Sequence, residues 1–243
     1  MIPRVTLDSA FVPGGGELRL IQRGDDFWIM LGANALMSTR LRASEEALAT
    51  LVCERIAARA RPALLIGGLG MGFTLRAALG ALGRDSRLVV AELVPAIVAW
   101  ARGPMAGLHA GTLDDPRVDI VEGDVGELIA AARSDYDAIL LDVDNGPDAL
   151  SRDSNDRLYD LAGLRRARTA LRPGGILAIW SAAPDRAFTR RLGEAGFAVE
   201  EATIRAHAGR SGARHVIWLA TSADRPGVQR RPRPPVKPVR GPS

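Results

Sequence analysis

Cysteine is nearly absent from this chain: Cys53 is the only one among 243 residues. One thiol cannot build a disulfide framework, and the scarcity fits a reducing, cytoplasmic setting. Histidine is scarce as well. His109, His207 and His215 stand at spacings that suit no metal site, so no metal is expected. No run of about eighteen apolar residues occurs, so no membrane span is expected. Residues 1–10 lack a basic segment followed by an apolar run, so no signal peptide is evident. The remainder is ordinary for a soluble globular protein, with 47% hydrophobic and 25% charged residues. Its length allows one large domain, or one domain with a small companion.

An excess of positive charge is absent outside the last segment. Residues 223–243 hold six basic residues (Arg225, Arg230, Arg231, Arg233, Lys237, Arg240), one acid (Asp224) and six of the fifteen prolines. Without them, 26 basic and 27 acidic residues remain, and the net charge of +4 becomes −1. Such a tail has too few apolar residues to pack and is expected to be disordered. It leaves room for a weak contact with nucleic acid or another anionic surface. A solvated extension is the simpler reading, and no other nucleic-acid binding is expected.

What is present is a glycine loop. Residues 63–72 read A-L-L-I-G-G-L-G-M-G. Ala63–Gly67 begins as an apolar run after Pro62 and predicts a buried strand. Gly67, Gly68, Gly70 and Gly72 crowd the turn that follows, and residues 73–82 predict a helix. Strand, glycine loop and helix bring backbone N–H groups against a ligand, and a Cβ would block close approach. The next strand, Arg87–Glu92, ends in a carboxylate twenty-four residues after Gly68. A carboxylate there can accept hydrogen bonds from both hydroxyls of a ribose. The dinucleotide pattern G-x-G-x-x-G fails, since its third position would be Phe73 or Leu75. The loop is G-x-G-x-G, the form of nucleoside sites that take S-adenosylmethionine. A tight structural turn is the alternative, and Glu92 argues against it.

Residues 1–42 predict a small β segment, with strands at Glu17–Arg23, 27–31 and 35–38. Ser44 is the expected cap of a helix running to about residue 60, with Glu45 and Glu46 in its first turn. From Pro62 strands and helices alternate. Strands are expected at Ala63–Gly67, Arg87–Glu92, Val118–Glu122, 136–142, 175–181, 198–204 and 215–221. Helices are expected at 73–82, Pro95–Arg102, 125–132, 156–171 and 184–195. The alternation predicts a mostly parallel seven-stranded sheet with helices on both faces. The last two strands lack a helix between them and should pair antiparallel. That is the class I methyltransferase type of Rossmann-like α/β fold. The expected organisation is a β segment at 1–42, an adenosyl-binding domain at 43–222 and a tail at 223–243.

Such a sheet puts its ligand beyond the carboxyl ends of its strands. Four acids cluster there: Glu92, Asp124, Asp142 and Asp144. Asp124 can accept from an adenine amine or cap the helix that follows, and the two are compatible. Asp142 and Asp144 follow a buried strand in D-V-D-N-G-P. Two carboxylates placed so close need a cation or hydrogen-bond donors, and an amine substrate would serve. A turn rich in Asp and Asn is the plainer alternative.

Together these pieces resemble the spermidine synthase (polyamine aminopropyltransferase) family. The matching segments are G-G-L-G-M-G, Glu92-Leu93-Val94-Pro95, D-P-R-V-D-I-V-E-G-D ending at Asp124, Y-D-A-I-L-L-D-V-D-N-G-P, Tyr159 and L-R-P-G-G-I-L. The resemblance implies transfer of an aminopropyl group from decarboxylated S-adenosylmethionine to an amine acceptor. It implies that Glu92 holds the ribose and Asp124 the adenine. Asp142 or Asp144 would bind and deprotonate the amine, Asp144 being the stronger candidate. A homodimer is compatible with the resemblance. The chain also departs from the family. Gly70 stands where the family loop has an aspartate that recognises the donor's propylamine. The loop after the fourth strand is two residues shorter. A family Tyr and Gln before the first helix are replaced near Ser44-Glu45-Glu46. Intact S-adenosylmethionine with methyl transfer, or adenosyl binding without catalysis, are the competing expectations.

Overall fold

The computed structural model describes residues 2–12, 16–142, 157–205 and 214–222. Its N-terminal part is a four-stranded antiparallel sheet in the order β1 (Val5–Phe11), β2 (Glu17–Arg23), β3 (Asp26–Leu31) and β4 (Asn34–Ser38). Alternation builds it: Leu18 and Leu20 of β2 are buried while Glu17 is exposed. Two-residue turns join β2 to β3 and β3 to β4, with Gly24 and Gly32 at positive φ. The Trp100 indole Nε1 donates to Asp8 Oδ2 at 2.7 Å and ties this sheet to the rest of the chain.

Helix α1 (Ala43–Ile56) leads into β5 (Ala63–Gly67), α2 (Phe73–Ala81), β6 (Arg87–Glu92), α3 (Pro95–Arg102) and α4 (Ala106–His109). Then come β7 (Val118–Glu122), α5 (Val125–Ala131), β8 (Tyr136–Leu141), α6 (Leu161–Ala170), β9 (Leu171–Ser181), α7 (Arg186–Glu194), β10 (Phe197–Arg205) and β11 (Arg214–Ser222). The seven strands from β5 onward form one sheet in the order β10-β11-β9-β8-β5-β6-β7. Only β11 runs antiparallel to its neighbours. Every residue of β5 and β8 is buried, which is why residues 63–66 and 138–141 read as apolar runs. The two faces carry separate cores. Leu64, Ile66, Leu140 and Ala178 point towards α1 and α2, whereas Leu65, Ile139, Leu141 and Ile179 point towards α5, α6 and α7. Strand order reverses at β5, between β6 and β8, so the ligand crevice opens at the end of β5.

The expected α/β class and antiparallel last pair are both present. Several local expectations are not met. Ser44 does not cap α1: the cap residue is Arg42, which makes no side-chain capping bond. Ser44 is inside the first turn, 1% exposed, with its Oγ 3.0 Å from His215 Nδ1. The helix stops at Ile56, and β9 begins at Leu171, where helix was expected. Tyr136 pairs with Leu171 in that strand, so sheet pairing overrode helix propensity. Strand β1 and helix α4 were not foreseen. The tail at 223–243, His207 and Asp144 lie outside the described residues.

Two ion-paired features brace the frame away from the crevice. Asp137, 1% exposed, accepts from Ala63 N at 2.8 Å and from Arg172 Nη1 at 2.7 Å, with Arg59 Nη1 3.2 Å away. Arg117 grips Asp115 through both carboxylate oxygens and donates to the carbonyls of Leu79 and Leu82 at the end of α2. The arginine holds the Asp115 carboxyl down at about 2.

Candidate active site

The site is assembled where three strand ends run on into loops. Asp142 N donates to Gly67 O, Gly68 N to Ala91 O, and Gly123 N to Glu92 O. These bonds extend the sheet ladder one step beyond the strands. They set the glycine loop between Asp142 on one side and Glu92 on the other.

Gly68, Gly70 and Gly72 all have positive φ, at 91°, 50° and 74°. Each L side chain would be strained there, so the spacing G-x-G-x-G is a backbone requirement. Gly72 carries a second constraint. A Cβ on it would lie 2.5 Å from the Nδ1 and Cε1 atoms of His109. At Gly70 a Cβ would lie 2.5 Å from the Met37 Sδ, so β4 reaches over the loop. Gly67 faces Leu141 and Val125 with little room to spare.

Glu92 is 5% exposed. Its Oε2 accepts the Leu69 amide at 2.8 Å, and its Oε1 accepts the Val94 amide at 2.9 Å. The carboxylate thus fixes the glycine loop and its own turn together. A carboxylate oxygen can accept more than one hydrogen bond. Asp124 stands at the next strand end and caps α5, accepting from Gly126 N at 2.7 Å. Beside it lies an open groove of about 290 Å³ lined by Asp124, Gly126, Ile129, Leu158 and Arg166.

On the other side of the loop, the Thr74 hydroxyl donates to Asp142 Oδ2 at 2.9 Å. Burial pushes the Asp142 carboxyl up to about 6, against the pull of that hydrogen bond. Glu45 in the first turn of α1 is also raised well above the carboxylate range. Burial is the main cause, followed by the charges of Asp142 and Glu46. The Thr74 hydroxyl, bonded to Asp142, also lies 3.4 Å from the Glu45 carbonyl oxygen, so the first turn of α1 sits close to the end of β8.

His109 is 2% exposed, and neither ring nitrogen has a partner among the described residues. Burial, helped by Arg76, depresses it to about 4, so the ring is neutral at pH 7. Among the described residues no group of three or more His, Cys, Asp or Glu could hold a metal ion. Cys53 is buried with its thiol pushed up to about 12, and it packs in the α1 core.

No protein-family model matches the chain. The polyamine aminopropyltransferase of Mycobacterium tuberculosis is 31% identical over 173 residues, spanning 69% of this chain and 31% of that protein. Polyamine aminopropyltransferase 1 of Streptomyces coelicolor is 34% identical over 123 residues, spanning 50% of this chain and 22% of that protein. Among solved structures, spermidine synthase from Thermotoga maritima superposes with a TM-score of 0.72 at 18% identity. The superposition covers 91% of this chain and 74% of that one. The chain is a divergent relative of the polyamine aminopropyltransferases. A spermidine synthase in complex with the transition-state analogue AdoDATO superposes equally well, with a TM-score of 0.71 at 18% identity, over 91% of this chain and 73% of that one. At such identity the superpositions show the fold. This spermidine synthase-like chain spans about a third of the length of the Mycobacterium relative, and less of the Streptomyces one.

Of the residues singled out in the sequence, Gly67, Glu92, Asp124 and Asp142 stand at or just past the carboxyl ends of the neighbouring strands β5, β6, β7 and β8, with Gly68, Gly70 and Gly72 in the loop after β5, and of them only Asp124 lines the groove. Sequence reading missed three others. Glu45 was noted as a helix-terminal charge and as part of the stretch that replaces a family Tyr and Gln, Thr74 carried no signal, and His109 was considered only as a metal ligand. Spacing cannot bring α1 to the end of β8; packing of α1 on α2 does.

Proposed function

We propose that this chain is an aminopropyltransferase that moves an aminopropyl group from decarboxylated S-adenosylmethionine to a small amine. The observation that carries the reading is the crevice itself. A glycine loop pinned by Glu92 lies directly beside a carboxylate, Asp142, whose pKa burial has raised. In this reading Glu92 takes the ribose hydroxyls and Asp124 the adenine edge, while capping α5. The glycine loop lets the sulfonium end approach the backbone.

The chemistry asks one proton transfer of the protein. The acceptor arrives as an ammonium, which has no lone pair to attack with. Asp142 is fit to take its proton, because a carboxyl near 6 is both charged and basic at neutral pH. The freed nitrogen pair forms the new C–N bond as the C–S bond breaks. The electrons of that bond neutralise the sulfonium, leaving methylthioadenosine. Asp142 is thus the base in this proposal, where the sequence alone had favoured Asp144. The Thr74 bond fixes its orientation, and Gly67 O fixes its backbone.

Calorimetry with three ligands tests the reading: S-adenosylmethionine, its decarboxylated form and methylthioadenosine. Tighter binding of the decarboxylated form than of the intact one is expected. The reverse preference would favour methyl transfer, and no binding of any of the three would remove the adenosyl site.

A further inference from the structure

Helices α6 and α7 pack against each other over one face of the sheet. Each sends an apolar stripe inward: Leu164, Ala167 and Ala170 from α6, Phe188 and Leu192 from α7. Their outward sides are basic. The two helices hold six arginines, Arg165, Arg166, Arg168, Arg186, Arg190 and Arg191, against one acid, Glu194. The acids just before them are committed to backbone. Asp160 caps α6 by accepting from Gly163 N, and Asp185 caps α7 by accepting from Ala187 N and Phe188 N.

None of the six arginines has an ion pair among the described residues. Other surface arginines do meet carboxylates: Arg55 pairs with Glu200, Arg87 with Asp119 and Arg102 with Asp114. Arg166, Arg168 and Arg191 each donate to one backbone carbonyl, those of Arg157, Gly196 and Tyr159. Arg165, Arg186 and Arg190 are exposed, and their side chains make no hydrogen bond among the described residues. Arg186 and Arg190 stand four residues apart on one side of α7, where like charges repel. An anion placed there would relieve that repulsion.

The surroundings say which kind of anion fits. The large exposed apolar side chains among the described residues are Ile2, Val5, Leu7, Phe11 and Leu41, and none lies on α6 or α7. A membrane or a protein partner would find no apolar anchor here. Phe188, the aromatic residue of α7, is buried, so no ring is offered for stacking unpaired bases. What the face offers is guanidinium forks, whose geometry suits phosphate oxygens. Residues 223–243 add their six basic residues from the same side. Ser222 pairs with Phe197, and the adjoining Gly196 lies against the Arg168 guanidinium. The tail therefore begins beside the end of α7. Sequence reading assigned any nucleic-acid contact to the tail alone. The sum over residues 1–222, 26 basic against 27 acidic, concealed this face.

We propose that the outward face of α6 and α7 is a docking surface for double-stranded nucleic acid. Arg165, Arg186 and Arg190 meet backbone phosphates, and the cations of the tail extend the contact. No base edge is read, so binding is independent of sequence. Phosphate contacts release counterions, so affinity falls as salt rises. The surface is separate from the transfer reading. Arg166 borders the groove beside Asp124, but the other five arginines do not.

The test is fluorescence anisotropy on the full chain with labelled DNA duplexes of about twenty base pairs, titrated from about 50 to 200 mM salt. A face variant carries Arg165→Gln, Arg186→Gln and Arg190→Gln. A tail variant, also full length, has glutamine in place of Arg225, Arg230, Arg231, Arg233, Lys237 and Arg240. Wild type should bind two duplexes of unrelated sequence equally. The face variant should bind at least about tenfold more weakly, with the slope of log affinity against log salt shallower by about 2–3. Lysine at the same three positions should restore most of the affinity. The tail variant should be weakened yet keep a slope of about 2 or more. Unfolding temperatures should match wild type, which shows that the fold is intact. No duplex binding by wild type at low salt, a strong preference between the duplexes, a face variant with wild-type affinity and slope, or a tail variant that binds nothing would each overturn the proposal. Tighter binding through these arginines to phosphatidylglycerol vesicles, or to polyglutamate, would overturn it too. The first would make the face a membrane contact, and the second a contact for an acidic protein.

Discussion

The Glu92 carboxylate accepts the Leu69 amide at 2.8 Å across the crevice, so the end of β6 holds the glycine loop in shape. Its other oxygen accepts the Val94 amide. A residue expected to bind ligand is thus also a strut for the loop that cradles the ligand.

That double role predicts an unusual response to a conservative change. In Glu92→Gln one oxygen becomes an NH2 group, which must face an N–H donor. Loop stability should fall by about 1–3 kcal/mol, the cost of a buried unsatisfied group. Methylthioadenosine binding should fall with it. Thermal unfolding and calorimetry measure the two effects, and unchanged values in both would remove Glu92 from the site.

Asp142→Asn should separate stability from activity. The folded Asp142 pKa, about 6, is above the ordinary value of 3.8, so folding favours the protonated form. Its contribution is fully present below pH 3.8 and is lost as pH rises through 6. Asparagine cannot ionise, so the variant should unfold at a higher temperature than wild type at pH 8. That advantage should vanish at pH 4. Turnover at pH 8 should fall about a hundred- to ten-thousandfold, the usual worth of a general base. A variant less stable than wild type at pH 8 would contradict the burial of a charged Asp142.

Gly72→Ala meets both a positive φ and the His109 ring. A buried imidazole has little freedom to move, so destabilisation of about 1–3 kcal/mol is expected. Gly70→Asp meets only the end of the flexible Met37 side chain. It should fold with a loss of about 1 kcal/mol, because aspartate tolerates left-handed backbone better than most residues. The resemblance implies that an aspartate at this place recognises the donor's propylamine. The variant should therefore raise the preference for decarboxylated over intact S-adenosylmethionine, measured by calorimetry. An unchanged ratio would show that Met37 keeps the new carboxylate from the donor.

Much of this architecture was legible because the parallel strands are buried on both faces. Leu64 to Ile66 and Ala138 to Leu141 announce themselves as apolar runs, and glycine is the residue that takes positive φ at least cost. The acids there were legible for the same reason, since Glu92 ends a strand, Asp142 follows one directly and Asp124 stands two residues past one. Ser44 was misread because capping is a local rule. Its hydroxyl was claimed by His215, 171 residues away, which no local pattern contains. The proximity of Glu45 to Asp142 was hidden for a related reason. A glutamate in a first helical turn looks like a response to the helix dipole until the packing of α1 sets it beside Asp142. The start of β9 failed because R-P-G-G reads as a loop, while pairing with Tyr136 carries the strand back to Leu171.

The central claim is aminopropyl transfer with Asp142 as the base. The direct measurement is chromatographic detection of methylthioadenosine and of the alkylated amine after incubation with decarboxylated S-adenosylmethionine and a panel of diamines. Wild type should form both products in equal amounts, and Asp142→Asn should form neither at a comparable rate. Formation of S-adenosylhomocysteine from intact S-adenosylmethionine, with no product from the decarboxylated donor, would contradict the account.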